Sequence, residues 1–162
     1  MALVTTRAIT EGEELFISYG SRLSNDALLL NYGFLEQPNV HDTLDLVFSP
    51  ELAYMGRKIS GLSERKMDML LPFQTAALEE LSLEDQPVSL GGLGLLDGRL
   101  LAALRVLSAT SAEHLGGHSV AELRGLDTVP GLAAVVEQEA WYTAIGITAY
   151  ILARFPTMLV FF

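Results

Sequence analysis

The sequence predicts an α+β fold in which short strands come first and helices dominate afterwards. Three observations carry this. Residues 15–19 and 43–48 alternate at the period of two that a strand imposes. From Pro50 onward, apolar residues recur at helical spacing between Ser, Asp and Pro residues that start and stop helices. Half of the 162 residues are hydrophobic and 19% are charged, so the chain can build a packed core and lacks a disordered composition. The change of pattern places a boundary near residue 48, with residues 1–47 as a first unit and 48–162 as a helical second.

Residues 3–9 read as a strand, paired across the 10–12 turn with Leu15–Tyr19. Glu11-Gly12 makes that turn because Gly takes backbone conformations other residues resist. Leu15, Ile17 and Tyr19 point one way, Phe16 and Ser18 the other. Both sets are mostly apolar, which predicts burial on both faces. Gly20 ends the strand. Ser24 is the next N-cap, with Asn25 and Asp26 in a first turn where negative charge suits the helix dipole. Residues 27–30 are apolar nearly all round, which predicts a buried helix. Gly33 stops it between Tyr32 and Phe34. One tyrosine at a strand end and two aromatics at a helix exit are thus expected close in space. Residues 36–39 form a loop, 43–48 a further strand, and Ser49-Pro50 a helix start with Pro in the first position.

Helices are expected over 50–58, from the Ser63 cap to about Leu71 before Pro72, and over 73–81. Residues 86–94 read as an irregular loop. Its clustered glycines, Gly91, Gly92 and Gly94, lack the Gly-Lys-Ser or Gly-Lys-Thr ending of a phosphate loop. Asp97 caps an amphipathic helix with Leu100, Leu101, Leu104 and Leu107 on one face and Arg99 and Arg105 off it. Ser111 and Ser119 read as further caps. Pro130-Gly131 opens the last helix, which carries Leu132, Val135, Val136, Trp141, Ile145, Leu152 and Phe155 and stops at Pro156. Glu137 and Glu139 read as solvated charges near its start. Its apolar tract, 140–153, is shorter than the roughly 20 residues a membrane span needs, so a buried helix is expected.

Composition excludes several function classes. A formal net charge of −10 argues against nonspecific nucleic-acid or anionic-membrane binding. With no cysteine, neither disulfides nor a cysteine-bound zinc cluster can form. His114 and His118 have i, i+4 spacing, but Gly116-Gly117 breaks any helix between them, so structural roles are expected and no metal site. Glu13 and Glu14 resemble an acid pair, yet neighbours on a strand point oppositely. Residues 2–9 are too few and too polar for a signal peptide. The closing residues Met158–Phe162 would be an aggregation-prone tail if exposed.

The sequence Gly12-Glu13-Glu14-Leu15, then Tyr19-Gly20, then Ser24-Asn25-Asp26, Leu28-Leu29 and Tyr32-Gly33-Phe34, resembles the end of a SET methyltransferase domain. It is similar to the branch typified by the Rubisco large-subunit lysine methyltransferase, in which a helical substrate-binding domain follows. Residues 100–107 and the Phe-Pro-Thr at 155–157 look like that second domain. The resemblance implies a truncated SET domain over 1–47 and a substrate-binding domain over 48–162. It implies that Tyr19 is the catalytic tyrosine, and that Tyr32, Gly33 and Phe34 line the S-adenosyl-L-methionine site. Ile17, Tyr19 and Tyr32 would border the target-lysine channel. A non-aromatic residue at Ile17 would leave room for more than one methyl group. The implied partner is a protein bearing a target lysine, bound by a monomer. Histidine methylation is the variant, and Tyr32 leans towards lysine. The family's upstream glycine-containing strand and Asn-His motif have no counterpart here, so the chain corresponds to the C-terminal portion of such an enzyme. The alternative is a noncatalytic helical interaction module or a truncated pseudo-enzyme. The compartment stays open between chloroplast and cytoplasm.

Overall fold

In the computed structural model, residues 4, 5, 7–62, 70–83 and 86–154 are described. The core is built around α4 (Gly98–Ser108), which starts as its sequence dictates. The Asp97 carboxylate accepts the Arg99 main-chain N–H at 2.8 Å, closing the first turn. Every residue from Leu100 to Ser108 is buried, so the helix has neighbours on all sides and not on its leucine face alone. α5 (Ala134–Leu152), α3 (Pro72–Leu81) and a 3-10 turn at Glu122–Arg124 pack around it. Gln74 of α3 is buried and ties the two helices. Its side-chain amide donates to the Val106 and Ala109 carbonyls at 3.1 and 3.0 Å, at the C-terminal end of α4 where main-chain carbonyls run short of helical donors.

α2 (Pro50–Ile59) begins at Ser49, whose hydroxyl accepts the Leu52 N–H at 3.2 Å. It crosses α5 at two glycines. A Cβ on Gly146 would lie 1.9 Å from the Gly56 carbonyl oxygen, and one on Gly56 would lie 2.6 Å from the Thr143 carbonyl. The helices therefore meet backbone to backbone there. Only residues without side chains permit this.

Two buried arginines correct the sequence reading. Arg105, expected off the apolar face, is fully buried. Its guanidinium bonds both Glu137 oxygens at 2.5 and 2.7 Å and donates to the Leu123, Gly125 and Asp127 carbonyls. Arg57 on α2 is buried and pairs with Glu139 at 2.8 Å. Glu137 and Glu139 are thus partners of buried cations, not solvated charges. Each partner lies far away in sequence, where periodicity on one helix cannot register it.

The sheet has two strands among the described residues. β1 (Thr43–Leu46) pairs antiparallel with β2 (Val88–Gly91), Thr43 opposite Gly91 and Leu46 opposite Val88. β2 falls where an irregular loop was expected. The glycines that suggested a loop lie at its end, where Gly91 and Gly92 hold positive φ beside Asp42 and Thr43. With five α-helices and this sheet among the described residues, the fold is α+β.

α5 starts at Ala134, not at Pro130-Gly131, which forms a turn. Val136, Ala140, Thr143 and Ile147 face inward, whereas Val135, Ile145 and Leu152 are exposed. No helix among the described residues is long and apolar enough to cross a membrane. The expected Ser63 helix start, the Phe155-Pro156 stop and the Met158–Phe162 tail lie outside the described residues, as do Leu3 and Thr6 of the expected first strand.

The N-terminal region differs from its expectation. The 10–12 turn forms, with Glu13 N–H donating to the Thr10 carbonyl at 3.1 Å, but no strand ladder follows it among the described residues. Leu15, Phe16, Ile17 and Tyr19 are exposed, Phe16 at 84%, where burial on both faces was expected. α1 (Asn25–Tyr32) buries Leu28 alone, and Leu30 is 87% exposed. Apolar character on every side does not bury a helix when nothing packs against it. A strand needs a partner edge before its apolar faces can be covered.

Candidate functional site

Tyr19, Tyr32 and Phe34 converge on one another. Tyr19 and Tyr32 have ring centroids 4.6 Å apart and tilted by 53°. Tyr19 meets Phe34 edge-on at 5.3 Å, and Tyr32 lies 6.3 Å from Phe34. These are the offset and edge-to-face separations that aromatic quadrupoles favour. Each ring is about half exposed.

Local backbone chemistry brings them together. Gly33 takes φ 79°, the left-handed conformation that ends a helix, and its N–H returns to the Leu28 and Leu29 carbonyls. The chain reverses there, so Phe34 comes back towards the Tyr32 ring. Gly20, with φ 139°, turns the chain after Tyr19. The predicted proximity of the three aromatics therefore holds, although the strand expected to deliver Tyr19 is absent. Ile17 is exposed on the same extended segment and belongs to no ring cluster.

Ser24 occupies the cap position of α1 without making the cap bond. Its hydroxyl donates to Asp26 instead. That hydroxyl first, and the Ala27 N–H second, hold the Asp26 carboxyl below the usual range. Asp42 supplies the missing cap, accepting the Asn25 N–H at 2.5 Å. Sequence reasoning missed Asp42, because no local spacing joins it to Asn25; a carboxylate next to a turn is the one signal it offers. Glu13 is also committed. The Arg7 guanidinium first, then the Thr10 N–H, hold its carboxyl below the usual range, within the 10–13 turn.

The cluster offers aromatic faces and two phenol hydroxyls that have no hydrogen-bond partner among the described residues. Such faces stack on flat rings and attract cations. The cluster is open, not enclosed. A cleft of about 220 Å³ lies beside it in sequence, lined by Gly20, Leu23, Leu28 and Asn39 among others, but not by the three rings. A second, of about 360 Å³, lies among Phe48, Leu78 and Leu83 of the helical part. The histidines are engaged locally. His118 Nε2 lies 2.6 Å from the Pro130 carbonyl, and His114 Nδ1 lies 3.0 Å from the Thr110 hydroxyl. No three metal-ligating side chains group together among the described residues. No family model, curated protein or solved structure matches this chain.

Proposed function

We propose that the chain is the C-terminal portion of an S-adenosyl-L-methionine-dependent protein-lysine N-methyltransferase of the Rubisco large-subunit methyltransferase-like branch, with the helical unit binding the protein substrate. One observation carries the reading. Tyr19 and the Tyr32–Phe34 pair come from the two halves of the SET-like motif and meet as one accessible aromatic cluster. The residues present fit one wall of such a site. Tyr32 and Phe34 would offer faces to the adenine, with Gly33 keeping the backbone close. The opposite wall would come from another segment, since the rings stand open.

When bound, S-adenosyl-L-methionine supplies an activated methyl group. The chain's own contribution is orientation, the largest device available to a displacement between two held groups. The Tyr19 hydroxyl, without a hydrogen-bond partner among the described residues, would orient a neutral target amine. Desolvation between aromatic rings lowers a lysine's pKa, so no general base is required. Ile17, being non-aromatic, leaves space for a methylated amine. The net charge of −10 suits a basic, lysine-bearing partner.

A second reading is a noncatalytic interaction module. The exposed Leu15–Ile17 segment, with no ladder partner among the described residues, favours it. Calorimetric titration of S-adenosyl-L-methionine into the chain separates the two, with Tyr32→Ala as control. Binding that weakens on the order of tenfold or more in the control supports the methyltransferase reading, since stacking on one base is worth about 1–3 kcal/mol. No binding by the folded chain supports the interaction module.

A further inference from the structure

The aromatic cluster sits on a segment with almost no core of its own, so something other than packing must fix its geometry. We infer that the Asn25 side chain, braced by Asp42, is the positioning residue that holds Phe34 against Tyr19 and Tyr32. This holds whichever ligand the cluster takes.

Asn25 uses both ends of its amide. Its Nδ2 donates to Asp42 Oδ2 at 2.6 Å and to the Glu36 carbonyl at 2.9 Å. Its Oδ1 accepts the Glu36 N–H at 2.7 Å. Its main-chain N–H donates to Asp42 Oδ1 at 2.5 Å. The Asn25 side chain thereby copies a backbone pairing with Glu36, and the Asp42 carboxylate grips Asn25 twice. Phe34 lies between two fixed points. Gly33 anchors it to the end of α1 through its return bonds, and Glu36 anchors it to the start of α1 through Asn25. Asp42 immediately precedes β1, so the same clasp ties α1 to the two-stranded sheet that β1 forms with β2. Asn39 adds a parallel tie, its Nδ2 donating to the Leu23 carbonyl at 2.9 Å.

The arrangement is chemically specific. Aspartate at position 25 would still accept the Glu36 N–H. It would lose both donors and face the Asp42 carboxylate at close range. Alanine at 42 would remove the cap and the brace together. Exchanging the two residues returns one bond in the reverse direction, with an amide at 42 donating to a carboxylate at 25.

The test is aromatic NMR on the full chain, reading ring-to-ring NOEs, with Trp141 as internal control. Trp141 is the chain's single tryptophan and is bonded to Glu137 in the helical unit, far from α1 in sequence. In N25D and D42A, the NOEs from Phe34 to Tyr19 and Tyr32 should fall several-fold while the Trp141 resonances stay in place. The N25D/D42N exchange should restore them in part. Phe34 NOEs of full intensity in both single variants would overturn the assignment. So would loss of the Trp141 signals together with the NOEs, because Asn25 would then be a general anchor of the fold. Cofactor titration of the same variants is a separate readout. A wild type that binds no S-adenosyl-L-methionine defeats the methyltransferase reading without touching this one.

Discussion

Leu15–Tyr19 and Leu100–Leu107 are both apolar runs, and the chain treats them in opposite ways. Every residue of the second is buried, whereas Leu15, Phe16, Ile17 and Tyr19 of the first are exposed. The difference lies in where the backbone bonds go. A helix completes its hydrogen bonds within itself, so α4 needs only side-chain neighbours to be covered. A strand completes its bonds on another strand, and Leu15–Tyr19 has none among the described residues. Apolar sequence is a demand for cover, and the helical unit meets that demand while the N-terminal region leaves it open.

That contrast breaks first, and most visibly, at Arg105. Replacing Arg105 with Ala removes five hydrogen bonds and leaves Glu137 beside three carbonyls without their donor. Breaking a buried pair from one side costs about 3–5 kcal/mol. Urea unfolding followed by Trp141 fluorescence should show that loss, since the Trp141 indole N–H bonds the same Glu137. Gly146→Ala comes next. Alanine normally favours a helix over glycine by roughly 1 kcal/mol, but here its Cβ would meet the Gly56 carbonyl at 1.9 Å. Overpacking of that kind costs about 1–3 kcal/mol, so the sign should reverse and the melting temperature should drop. A stabilised Gly146→Ala variant would show that α2 and α5 do not meet backbone to backbone.

A smaller, pH-dependent effect belongs to Asp97. Burial works to raise its carboxyl, but the Arg99 side chain and N–H outweigh burial and hold it below the ordinary range. A carboxyl depressed in the folded state adds stability above its unfolded pKa and loses it as pH falls through the folded value. The helical unit should therefore lose stability on acidification below about pH 4, where unfolded aspartate titrates. Asp97→Asn keeps a good cap but has nothing to titrate, so its melting temperature should depend less on pH over that range. Equal slopes for the two proteins would remove Asp97 from the acid response.

The features legible in sequence are those written in a few consecutive residues. Ser49-Pro50 and Asp97 each announce a helix start, and Gly33 announces a stop, because caps act within one turn. The aromatic cluster was legible for the same reason, since Gly20 and Gly33 set its local path. The misses are pairings at long range. β2 exists because Thr43–Leu46 lies against it, and Arg105 is buried because Glu137 waits on another helix. α5 meets α2 at Gly146 against Gly56, a crossing that its large apolar residues do not mark. A glycine inside each of two helical patterns was the available signal of close approach. The Asn25–Asp42 clasp left no such trace.

The smallest expected effect tests the other half of the comparison. Phe16 is a large aromatic in the middle of an apolar run, and in a covered strand its loss would cost several kcal/mol, about 3–5 for a truncation to Ala. At 84% exposure it has little to lose. Phe16→Ser should change stability by no more than about 0.5 kcal/mol, the range of surface substitutions away from special features. It should also raise solubility, because the side chain removed is apolar and faces water. A loss of several kcal/mol in the same urea titration would mean that the segment is covered in solution. The two apolar runs would then differ in which element covers them, and no longer in whether they are covered at all.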